Sequence, residues 1–166
     1  LVLREEIGDV GAVARSYNNL GLLGWKRGDW DSALESFRRS LELHTTIGDV
    51  EGTCELHGNL GLLLVERGQT EEARQHLEAA LQVGREIGHS FIIAITSWYF
   101  SYFYLLTEQW GPALDQAGQA RDILEEIGAQ EPLVDVYTNT GQAWLAKGDL
   151  VLAREWADKA LGLLQQ

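Results

Sequence analysis

Residues 7–48 read IGDVGAVARSYNNLGLLGWKRGDWDSALESFRRSLELHTTIG, a stretch that opens and closes on the same Ile-Gly pair. The pair returns at Ile87-Gly88 and Ile127-Gly128, so the period is 40 residues. A fixed period of that length marks a repeat architecture, in which each unit buries its apolar face against its neighbours. Four units occupy residues 7–46, 47–86, 87–126 and 127–166. Residues 1–6 align with 41–46, 81–86 and 121–126, and are expected to close a truncated preceding unit.

Other columns keep the same register. One holds Ala33, Ala73, Ala113 and Ala153, another Ser40, Ala80, Ala120 and Ala160, and a third Gly21, Gly61, Ser101 and Gly141. Small residues at fixed places let two helices approach closely, while Leu34, Leu41, Leu77, Leu81, Leu114 and Leu161 supply apolar contacts at helical spacing. Gly28-Asp29, Gly48-Asp49 and Gly148-Asp149 set a helix-ending glycine beside a helix-capping aspartate, and Thr70 with Glu71 and Glu72 is expected to cap in the second unit. First helices are therefore predicted over 10–27, 50–67, 90–107 and 130–147, and second helices over 30–46, 70–86, 110–126 and 150–165. No segment alternates with period two, so no strand is expected.

These columns resemble the tetratricopeptide repeat (TPR), a helix-turn-helix unit. Tyr17, Leu20, Gly21, Gly28, Ala33 and Phe37 match its pattern in the first unit, and Tyr137, Gly141, Trp144, Gly148, Ala153 and Ala160 in the fourth. The usual period is about 34 residues. The 40-residue unit, with Ile-Gly-Asp or similar in place of the customary proline, looks like the long-helix variant of kinesin light chains, Leu-Gly-Asn-type polarity scaffolds, and bacterial signalling ATPases and transcription activators. HEAT and armadillo units are similarly long but lack this small-residue pattern. The resemblance implies an all-α fold, an α-solenoid of about four helix-turn-helix repeats forming a right-handed superhelix.

It also implies a concave groove lined by the first helices. The residues brought there are Asn18, Asn19, Leu22 and Trp25 in the first unit, with Arg15 one turn earlier; Asn59 and Leu62 in the second; Trp98, Tyr99 and Tyr102 in the third; and Asn139 and Gln142 in the fourth. Asn19, Asn59 and Asn139 share one column. A carboxamide donates and accepts, which suits the alternating groups of an extended peptide backbone. Similar asparagines clamp ligand main chain in the arrays this one resembles, although the same amides could simply hold neighbouring helices in register. In the third unit FIIAITSWYFSYFYLL, residues 91–106, carries no charge. A membrane span takes roughly 20 apolar residues, and this run is interrupted by hydroxyls, so it is expected to stay in repeat register. Phe100, Phe103 and Tyr104 are assigned to the core. Trp98 and Tyr102 are either anchors for an apolar ligand side chain or further core.

Composition narrows the class. With 45% apolar and 23% charged residues the chain is an ordinary globular one. Its net charge of −12 repels phosphate backbones, which excludes nucleic acid as a partner. The four units carry net charges of 0, −5, −4 and −2, so a neutral or basic peptide is favoured over an acidic one. A single cysteine, Cys54, and the absence of a signal peptide point to the cytoplasm. His44, His57, His76 and His89 show no metal-ligand spacing, His57 sits in the column of Tyr17 and Tyr137 as a packing residue, and no glycine-rich loop follows a strand. Neither an enzyme nor a cofactor is expected. The absence of any methionine suggests a piece of a longer polypeptide, and the family resemblance implies a bacterial one. The reading is a non-catalytic protein- or peptide-binding scaffold, a sensor or adaptor segment of a signalling protein. Its alternative is a structural spacer or self-association module that stacks through open repeat ends, with Trp156 facing a further repeat.

Overall fold

The computed structural model describes residues 9–165. The end of the preceding unit expected over residues 1–6, and Ile7-Gly8, lie outside them. The described residues hold eight helices and no strand: α1 Val10–Arg27, α2 Trp30–Thr46, α3 Val50–Glu66, α4 Thr70–Glu86, α5 Ser90–Leu106, α6 Trp110–Glu126, α7 Leu133–Ala146 and α8 Leu150–Leu164. Two compact units divide the chain, one through Val83 and the other from Gly84.

The joints form as the Gly-Asp pairs predict. Gly28 takes a left-handed conformation (φ 77°) that lets Asp29 N donate back to Gly24 O at 2.9 Å, closing α1. Asp29 then caps α2 through Ser32 N. Asp9, Asp49 and Asp149 cap α1, α3 and α8 in the same way, at 2.8, 3.0 and 3.0 Å. His89 substitutes an imidazole for the carboxylate and accepts from Ile92 N.

Two local expectations are corrected. Thr70 is the first residue of α4 rather than its cap, and its hydroxyl bonds Gly68 O at 3.5 Å. The helix predicted over 130–147 runs only from Leu133 to Ala146. Ala129 stands where Asp9, Asp49 and His89 provide caps, and Pro132 drives Glu131 away from helical backbone, so a turn from Gln130 O to Leu133 N precedes the helix.

In the first unit, α2 shows the amphipathic stripe, burying Ala33, Phe37, Ser40 and His44. α3 is covered nearly all round, with Leu56, Leu60, Leu63 and Leu64 fully buried. Each such leucine contributes roughly 2 kcal/mol of transfer free energy. The small columns act as read: Ser40 Oγ reaches Ala14 O at 2.7 Å between α1 and α2, and the Cys54 thiol lies 3.9 Å from Ala80 O between α3 and α4. Gly21 leaves its Cα against the Phe37 ring, where a Cβ has no room.

In the second unit, Ala94, Ala117, Ala120, Leu124, Leu133 and Val136 form one buried cluster, on which Trp98 and Tyr137 pack. Phe100 and Phe103 are buried, as expected, and Tyr104 stacks on them half-exposed. Among the described residues no helix is long and apolar enough to cross a membrane.

Candidate functional site

In the first unit the residues expected on the groove are tied to one another by hydrogen bonds. Asn18 on α1 donates through Nδ2 to Glu55 Oε1 on α3 at 2.9 Å, and its Oδ1 accepts from Asn59 Nδ2 at 3.2 Å. Two turns further on, Trp25 Nε1 donates to Glu66 Oε2 at 2.7 Å, and the indole meets Phe37 edge-on. These contacts pin α1 to α3 and satisfy the polar groups of both. Asn59 and Leu62 are buried, Leu22 is half-buried, and Arg15 and Asn19 are exposed. The shared asparagine column thus places Asn19 and Asn59 in unlike environments.

In the second unit the same columns carry different residues. Trp98, Asp135 and Asn139 stand 80 positions after Asn18, Glu55 and Asn59. Asn139 is 5% exposed, and its Nδ2 has no acceptor; nor has the buried Nε1 of Trp98. The linked amide, amide and carboxylate of the first unit are here replaced by two unpaired N–H donors. A buried donor without a partner costs roughly 1–3 kcal/mol, and native structures rarely tolerate one unexplained. Trp98 rests on Tyr99 at 4.8 Å between ring centres; Tyr99 is buried, Tyr102 half-buried and Gln142 exposed. Partial desolvation first, and the neighbouring Glu131 second, lift the carboxyl of Asp135 above its ordinary value.

Trp156 is half-buried on its own helix pair. Its ring lies 5.4 Å from Tyr137 and is covered by Lys159 and Arg121 at 3.9 and 5.7 Å. The cations shield the indole that the sequence left without a neighbour. Among the described residues no three His, Cys, Asp or Glu side chains converge on a point where a metal would sit.

The tetratricopeptide repeat profile matches residues 12–86 and 52–126. The chain belongs to the tetratricopeptide repeat family. No curated protein matches it. Among solved structures, the TPR chain superposes on BtubC (BKLC) from P. vanneervenii with a TM-score of 0.72 and 19% identity, over 92% of this chain and 63% of that one. On the apo form of RapI the TM-score is 0.75 with 12% identity, over 93% and 56%. On TPR-like repeats ascribed to a kinesin light chain of Podosopora anserina it is 0.64 with 16% identity, over 90% and 74%. At these identities the likeness is one of fold, an all-α solenoid of helix pairs. This TPR chain spans 63% of the length of BtubC and 56% of that of RapI. TPR arrays are protein-interaction scaffolds, and Trp98 Nε1 and Asn139 Nδ2 are among the buried polar atoms of this one that have no hydrogen-bond partner.

Proposed function

We propose that the chain is a non-catalytic, cytoplasmic scaffold that binds an extended protein segment on its first helices, as a sensor or adaptor segment of a larger bacterial signalling protein. The observation that carries this reading is the pair of unpaired donors, Trp98 Nε1 and Asn139 Nδ2. Main-chain carbonyls of a bound peptide supply the missing acceptors once the Trp98 ring swings aside, and Tyr102 offers an apolar contact one turn along α5. Glu131 and Asp135 favour a neutral or basic ligand there. Arg15 and Asn19 are exposed polar side chains of α1, and Gln142 is one of α7.

Panning a random peptide library against the protein tests this, with a Trp98→Ala, Tyr102→Ala, Asn59→Ala version as counter-selection. Enrichment of a common motif that the triple variant loses supports the groove; no enrichment by a folded protein removes it.

A second reading rests on α8, where Leu150, Val151, Leu161 and Leu164 are 67, 78, 55 and 69% exposed. We infer that this apolar face stacks on another helix pair in a spacer or self-associating array. Light scattering across concentration separates the two, because a strict monomer at high concentration counts against self-association.

A further inference from the structure

His57 on α3 and His76 on α4 face each other within the second repeat with their Nδ1 atoms 2.9 Å apart. Their ring centres are 5.0 Å apart, just under the gap plus one ring radius on each side, so the two nitrogens point nearly at each other. That is the geometry of an N–H···N bond. It holds one proton: one imidazole donates and the other accepts. Protonation of both rings leaves no acceptor between them and sets two cations against each other.

The repeat shows what the contact does. The columns of His57 and His76 bring together Tyr137 and Trp156 in the fourth unit, whose rings meet at 5.4 Å, and hold Tyr17 and Ser36 in the first. This is the place where a first helix seats on the second helix of its own pair. Of these pairs only His57 and His76 are imidazoles, the side chain whose ordinary value lies near physiological pH.

We propose that His57 and His76 form an acid-operated latch, which holds α3 on α4 while they share one proton and lets the helices part when both are protonated.

The surroundings do not rescue the doubly charged state. Among the described residues two other charged groups act on the pair, Glu72 from α4 and Arg38 from α2, both through His76. They are bonded to each other at 2.7 Å, so the carboxylate that would welcome a charged His76 is already committed to a guanidinium. Burial, then the charge of His76, pushes His57 down to about 4; burial first, with Arg38 adding and Glu72 opposing, lowers His76. The unfolded chain therefore takes up protons near the ordinary histidine value of 6.5 that the folded chain refuses. The stability of the pair is complete above that value and is lost as pH falls from 6.5 toward 4.

Amide hydrogen exchange and imidazole NMR on the whole chain test the latch. Expected is a roughly tenfold or greater fall in protection of α3 and α4 amides between pH 7 and pH 5, with α7 and α8 unmoved. The His57→Tyr, His76→Ser double variant, which restores the first unit's combination, flattens that fall, and so does His76→Gln, the residue found at Gln116. Two imidazoles titrating independently near 6.5 with α3 and α4 protection unchanged would overturn the proposal in the native chain alone. A folded variant of either kind that keeps the fall would overturn it equally.

Discussion

Gly61 lies against the buried side chain of Leu77 so closely that a methyl group at its Cα would stand 2.6 Å from Leu77 Cδ2 and 3.3 Å from Ala73 O. Leu77 is fully enclosed and cannot yield. Gly61→Ala is expected to cost about 1–3 kcal/mol despite the better helix propensity of alanine, because overpacking must spread α3 from α4. Gly118, in the interior of α6, has nothing within 4 Å of the same position. Gly118→Ala therefore stabilises by about 0.5–1 kcal/mol. Urea unfolding of both variants checks the opposite signs.

The third unit departs from the turn glycine. Glu108 holds φ 59° in the column of Gly28, Gly68 and Gly148. A left-handed residue with a Cβ carries a cost of about 1–2 kcal/mol, part of which glycine returns as extra freedom in the unfolded chain. Glu108→Gly is expected to raise the melting temperature by a few degrees; a lower Tm would show that the glutamate side chain stabilises the turn.

Asn18 and Asn139 should respond in opposite ways. Asn18→Ala removes both of the links that Asn18 makes to α3 and leaves Asn59 buried without its acceptor, at about 1–2 kcal/mol. Asn139→Leu removes an unpaired donor and should gain about 1 kcal/mol. If the second unit binds peptide main chain, the stabilised variant binds more weakly. A binding isotherm measured beside the unfolding curve reads both effects.

Asp49 caps α3 and meets His44 Nδ1 at 2.8 Å. The amide of Gly52 first, and His44 after it, hold its carboxyl below the ordinary value of 3.8. A lowered acid contributes its stability above that value and loses it as pH falls through the folded one. Asp49→Ala should cost about 1 kcal/mol at pH 5 to 8. The gap between variant and native chain should close below pH 3.8, as thermal melts across pH would show.

The helix pairs were legible because their signals repeat. Four copies of one small-residue column and the Gly-Asp joints place seven of the eight helices to within a residue. The eighth began late because Pro132, a single residue outside the repeat, overrode the register. The candidate site was legible only as columns. That Trp98 replaces Asn18 is visible at an offset of 80 residues, but whether an indole N–H meets an acceptor is decided over an ångström. The histidine pair was hidden for a related reason. His57 read as a packing residue in a tyrosine column, and only the approach of its column to that of His76 shows what it packs against.

Within each unit the heaviest contacts join helices that follow one another directly, α1 with α2, α5 with α6 and α7 with α8. Little chain entropy has to be spent closing loops before such contacts repay it. Folding can thus start in any hairpin and spread outward, with no obligatory order of assembly. On a nascent chain each emerging hairpin is therefore consolidated as the next one docks on it, before the whole array has been made.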